Sequence, residues 1–99
     1  MTNGKVTVVA RFKARPGMEE TLRRELLALI DPTTAEDGCI NYDLHQSADD
    51  KALFMFHENW LSREDLDDHL QMPYLQAFLA RTDELLAEPA EISLWKMIS

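Results

Sequence analysis

The chain has 99 residues, 45% of them hydrophobic and 28% charged, which fits one folded domain whose small size leaves about a third of the unfolded surface exposed. Only three glycines and four prolines exclude a disordered or fibrous chain. Ten Lys and Arg against 18 Asp and Glu give a net charge of −8, which excludes a nucleic-acid backbone or an anionic membrane surface as the general partner.

A lone cysteine, Cys39, cannot close an intramolecular disulfide, and no apolar run reaches signal or membrane-spanning length. A cytoplasmic setting is the expectation. Six of the ten basic residues fall by Arg24, a distribution read as solvated ends of the first strand and helix.

KVTVVARFKA alternates, with Val6, Val8, Ala10 and Phe12 on one side and Thr7, Val9, Arg11 and Lys13 on the other, the period-2 signature of a strand. Pro16 and Gly17 turn the chain. A helix follows, in which Leu22, Leu26, Leu29 and Ile30 form one stripe and Glu19 and Glu20 suit the positive end of its dipole. Pro32 is expected to kink or tighten its last turns, and Gly38 ends the segment.

CINYDLHQ alternates again, predicting Ile40, Tyr42 and Leu44 on one face. SADDK is a hairpin turn, and ALFMFHENW is the second arm, with Phe54, Phe56, Glu58 and Trp60 sharing a face opposite Leu53, Met55, His57 and Asn59. Ser62 with Asp65 three residues on reads as a helix N-cap, Leu66 and Leu70 as the inner stripe, and His69 as that stripe's edge. Pro73 opens a further helical piece with Leu75, Phe78, Leu79, Leu85 and Leu86 on its apolar side, Pro89 stops it, and EISLWKMI is the last strand.

The order strand, helix, strand, strand, helix, strand is the split βαβ arrangement of an α+β, ferredoxin-like domain over residues 1–99. It predicts a four-stranded antiparallel sheet with helices on one face. The uncovered face carries Val9, Leu53 and Met55, so a second copy is expected to pack there as a homodimer.

The segments VARFKARPGMEETLRRELLALIDPT, EDGCINYDLHQ, FHENWLSREDLDDHLQMPYLQAFL and LLAEPAEISLW resemble the antibiotic biosynthesis monooxygenase family of dimeric α+β-barrel proteins over nearly the whole chain. The most specific elements are Asp37-Gly38-Cys39 before the second strand, Glu58-Asn59-Trp60 ending the third, and His69 in a D-x-H-L helix followed by P-Y-x-Q-x-F. The resemblance implies cofactor-independent oxygenation, in which a phenol, anthrone or hydroquinone is deprotonated and its anion reduces dioxygen without flavin or metal. The protein must then supply an apolar cavity, a proton acceptor and hydrogen-bond donors for developing charge.

On that basis His69 is the expected general base, since an imidazole titrates near neutrality. Tyr42 and Glu58 are the further catalytic candidates, and Trp60, Asn59, Phe12, Phe56 and Phe78 the substrate-binding ones. Each has a structural alternative: Trp60 as core, Tyr42 anchoring its own hydroxyl, Glu58 paired with an arginine because an isolated buried carboxylate is expensive. Asn59, His45 and His57 fall on the opposite parity and rank second. No H-x-H, H-E-x-x-H or cysteine pair occurs, so no metal site is expected.

Haem degradation is disfavoured, because relatives with that activity use an asparagine in the first strand where this chain has Ala10. A non-catalytic small-molecule-binding dimer, an isomerase and a haem-degrading relative on the same fold remain as alternatives. Dispersal or sealing of Tyr42, Glu58, Trp60 and His69 would favour binding or structure over catalysis.

Overall fold

The computed structural model describes residues 4–99, so residues 1–3 of the expected domain lie outside it. Four strands, β1 (Val6–Lys13), β2 (Cys39–Gln46), β3 (Leu53–Trp60) and β4 (Glu91–Trp95), form one antiparallel sheet in the order β2-β3-β1-β4. The helices are α1 (Glu19–Leu27), α2 (Ile30–Thr34), α3 (Arg63–Leu70), α4 (Pro73–Leu79) and the short α5 (Thr82–Leu85). This is the expected ferredoxin-like topology.

Strand parity places the core. Burial alternates along the whole of β3, with Phe54, Phe56, Glu58 and Trp60 inward, and Val8, Ala10 and Phe12 of β1 lie beside them. Leu22, Leu26 and Leu29 close the layer from the first helical segment, and Leu66, Leu75 and Phe78 from the second. Each large apolar side chain taken from water contributes roughly 1.5–3 kcal/mol; Phe54, Phe56 and Trp60 are all within 1% of complete burial.

Gly17 has φ 88°, a left-handed backbone that a side chain would oppose. The first helical segment breaks after Leu27 and resumes at Ile30. Pro32 explains the break: it has no N–H to bond the carbonyl of Ala28 four residues back, and its ring would crowd that carbonyl. Ser62 caps α3 as expected, its hydroxyl oxygen accepting from the Asp65 N–H at 3.1 Å while its O–H donates to the Asp65 carboxylate at 3.0 Å.

Two expectations require correction. Ile40 does not share the inner face with Tyr42, because the β2–β3 register shifts between Cys39 and Asn41: Cys39 pairs with Trp60, Asn41 with Asn59, and Ile40 is left as the extra residue, 47% exposed. A bulge of this kind flips parity, so Cys39 and Tyr42 share a face despite their odd separation. His69 is not at the edge of its helix's inner stripe but at its centre, buried beside Leu66, whereas Leu70 is only half-buried.

Candidate active site

The residues expected at the site meet where the end of β3 faces α3. Trp60 closes the strand, and its ring centroid lies 4.6 Å from that of His69 at an interplanar angle of 33°. Tyr42 of β2 stacks on Phe56 at 4.1 Å and presents an edge to His69 at 5.6 Å. His69, 2% exposed, is thus held between two aromatic rings.

Its ring nitrogens have different environments. Nδ1 lies 2.8 Å from Oε2 of Glu36, a residue of the α2–β2 connection. Nε2 has no hydrogen-bond partner among the described residues, yet no side-chain nitrogen or oxygen there is both sealed from solvent and unpartnered. A sliver of Nε2 therefore remains open.

Glu36 is tied down from a second side. The Tyr74 hydroxyl, from the first turn of α4, donates to the same Oε2, and Thr33 Oγ1 of α2 lies 2.9 Å from that hydroxyl. With the Tyr74 proton given to Glu36, the Tyr74 oxygen is left to accept from Thr33. Burial, reinforced by the bond to Glu36, pushes the Tyr74 phenol up.

Glu58 is 4% exposed and is not paired with an arginine; its Oε1 instead accepts from the Trp60 indole N–H at 2.9 Å. Burial raises its pKa from 4.5 to about 7, opposed by the indole bond and assisted by the Glu36 charge. It can therefore exchange a proton near neutrality. Burial also pushes Tyr42 up, with the Glu58 charge adding and a polar contact from Thr33 opposing. The Cys39 thiol rises to about 11 from burial and the nearby Glu58, Glu36 and Asp43 charges, so it is protonated at neutral pH and a poor nucleophile.

Phe12, Phe56 and Phe78 form an edge-to-face aromatic chain deeper in the core, Phe12 lying 6.3 Å from Phe56 and 5.7 Å from Phe78. All three are 5% exposed or less. Asn59 does not join this side: it lies on the opposite sheet face, accepting from Thr7 at 2.5 Å and donating to Asn41 at 2.8 Å. His57 is on that face too, with Asn41 donating to its backbone carbonyl at 3.1 Å.

Two surface clefts flank the cluster. One of about 580 Å³ between the first helical segment and β2 reaches Tyr42 and Phe54 and carries Arg23 and His45 at its rim. The other, about 430 Å³, lies between the α2–β2 connection and α3 and α4, has Glu36 and Tyr74 in its wall, and is rimmed by Asp37, Asp65 and Asp68. Tyr42, Glu58, Trp60 and His69 thus converge, as catalysis requires, but are largely sealed within the chain.

Residues 5–81 match the family model described as antibiotic biosynthesis monooxygenase. The chain belongs to that family. A Mycobacterium tuberculosis protein named "Putative monooxygenase Rv0793" is 44% identical over 89 residues, covering 90% of this chain and 87% of its own. The solved structure of Rv0793 superposes with a TM-score of 0.90 over 96% of both chains. The crystal structure of PA3566 from Pseudomonas aeruginosa gives 0.93 at 33% identity, over 100% of this chain and 99% of that one.

In this member of the family, no group of three or more His, Cys, Asp or Glu side chains among the described residues is arranged to hold a metal ion. No helix there is long and apolar enough to cross a membrane. Sequence reasoning missed Glu36, Tyr74 and Thr33. Glu36 sits in a connection without periodicity, and Tyr74 was visible only as a letter of the P-Y-x-Q-x-F segment.

Proposed function

We propose that the protein is a cofactor-independent monooxygenase that oxidises a quinol-like or polycyclic phenolic small molecule with dioxygen. The observation that carries this reading is His69, whose ring is held between Trp60 and Tyr42 and whose Nε2 has no hydrogen-bond partner among the described residues. Such an imidazole can accept a proton from a substrate hydroxyl that reaches Nε2. The resulting electron-rich anion reduces dioxygen, and a substrate peroxide forms. Loss of water from it leaves one oxygen atom on the product carbon, so all four electrons taken by dioxygen come from the substrate.

Glu58, titrating near 7, is suited to return a proton to the departing oxygen, and Tyr42 to donate a hydrogen bond to the aryloxide. Phe12, Phe56 and Phe78 provide the apolar backing, and Asn59, on the far face, belongs to a surface that a second copy covers in a homodimer. The acidic rim of the Glu36–Tyr74 cleft favours neutral substrates over anionic ones.

A second reading, a non-catalytic small-molecule-binding dimer, is favoured by the sealing of His69 and Trp60, 2% and 0% exposed. Oxygen uptake by chelator-treated, haem-free protein with hydroquinones, dihydroxynaphthalenes and anthrones separates the two. Uptake above autoxidation that falls about 10²-fold or more in His69→Ala, the usual span for a general base, supports the enzyme. Binding of the same compounds without uptake supports the second reading.

A further inference from the structure

We infer that Glu36 is a positioning residue for His69: its carboxylate holds the imidazole as the Nδ1–H tautomer, with Nε2 unprotonated, and Tyr74 and Thr33 hold that carboxylate in place. This rests on the reading of His69 as the base and deepens it.

Three features of the geometry support the assignment. His69 is 2% exposed and its carboxylate partner's side chain is 10% exposed, so the 2.8 Å bond forms where water competes poorly. The two rings flanking His69 limit its rotation. Finally, the donors run in one consistent direction. Thr33 donates to Tyr74, Tyr74 donates to Glu36, and Glu36 Oε2 can only accept, so the proton on the other side of that oxygen belongs to His69 Nδ1.

The consequence is chemical. An imidazole free in water favours a proton on Nε2, which would leave the open nitrogen unable to act as a base. A carboxylate at Nδ1 reverses that preference, and it stabilises the imidazolium formed when Nε2 takes the substrate proton. A glutamine at position 36 can still accept a hydrogen bond but cannot offset that charge. The three residues come from α2, the α2–β2 connection and α4, so they lie outside every element that carries the catalytic candidates except through His69 itself.

The test has two arms. Imidazole 15N–1H correlation spectra of the wild-type protein at pH 8 should show His69 with Nδ1 protonated and Nε2 bare; the Nε2–H tautomer would overturn the proposal. In the second arm, Glu36→Gln, which keeps the side-chain volume, should lower kcat for an oxidised quinol by about 10- to 100-fold while KM changes by less than about twofold. Tyr74→Phe, which removes one support of the carboxylate, should have a smaller effect in the same direction. An unchanged kcat in Glu36→Gln overturns the proposal. If the wild-type protein oxidises none of the compounds, the proposed function fails, while the tautomer arm still decides the role of Glu36.

Discussion

Trp60 and Glu58 point to the same face of β3, and the indole N–H of one donates to the carboxyl of the other at 2.9 Å. The bond partly compensates a carboxyl group that is 4% exposed and has no cationic partner among the described residues. Burial still wins, because the carboxyl titrates near 7 rather than 4.5.

The sign of the resulting pH dependence follows from linkage. Between pH 4.5 and about 7 the unfolded chain releases the Glu58 proton while the folded one keeps it. Its contribution to stability is therefore full below 4.5 and is lost as pH rises through 7, by up to roughly 3 kcal/mol. Glu58→Gln keeps an acceptor for Trp60 and has no proton to lose, so its urea stability should fall less between pH 5 and pH 8 than that of the wild type. Parallel pH profiles for the two proteins would refute the assignment.

Trp60→Phe tests the other half of the pair. Without the indole donor the carboxyl loses the one bond that lowers its pKa, so Glu58 should titrate above its wild-type midpoint. The folded state should lose about 1–3 kcal/mol from the unpaired polar group and the lost volume. Carboxyl 13C shifts of Glu58 followed against pH read the first effect, and denaturant midpoints the second. A downward move of the Glu58 midpoint would contradict the geometry.

How far the sequence reached can be judged from particular residues. Alternation in LFMFHENW placed Phe54, Phe56, Glu58 and Trp60 inward because a strand has a strict period of two and one buried face. The same argument failed at Ile40, since a bulge inserts one residue without any composition signal that marks it. The sequence pattern puts His69 on the correct helix but at its edge, because Leu70 is the more hydrophobic of two neighbours; in the structure the contacts with Trp60 and Glu36 hold the histidine at the centre. Glu36 and Tyr74 were invisible as site residues because their contact spans 38 positions, and long-range partners of loop residues are set by packing that no local pattern encodes.

Gly38 connects the α2–β2 segment to the N-terminus of α3. A side-chain carbon added there would overlap Cβ and Cγ of Asp65, the residue that the Ser62 cap holds. Neither atom is the far end of a flexible chain, so Gly38→Ala must push α3 away from the sheet and take His69 with it. Overpacking of this kind costs about 1–3 kcal/mol. The expected outcome is a lower denaturant midpoint together with a shifted His69 ring resonance; a midpoint equal to the wild type would show that the α3 terminus moves freely.

The opposite sheet face and β4 bear on assembly. Val9, Leu53 and Met55 are half-buried around a hollow of about 320 Å³ that also touches Arg11 and His45. Every residue of β4 is exposed, with Ile92 and Leu94 at 46% and 44% and Trp95 at 60%. An edge strand that is apolar and open on both faces is a pairing surface rather than a stable solvent boundary. In the proposed homodimer a second copy of this chain, bringing the same apolar face, would satisfy it symmetrically. Light scattering should give twice the chain mass for the wild type. Met55→Glu, which puts a carboxylate into the face of the proposed interface without touching the helix-side core, should shift that mass toward the monomer while circular dichroism stays unchanged. A wild-type monomer at high protein concentration would remove the homodimer from the proposed function and leave the site to be completed within a single chain.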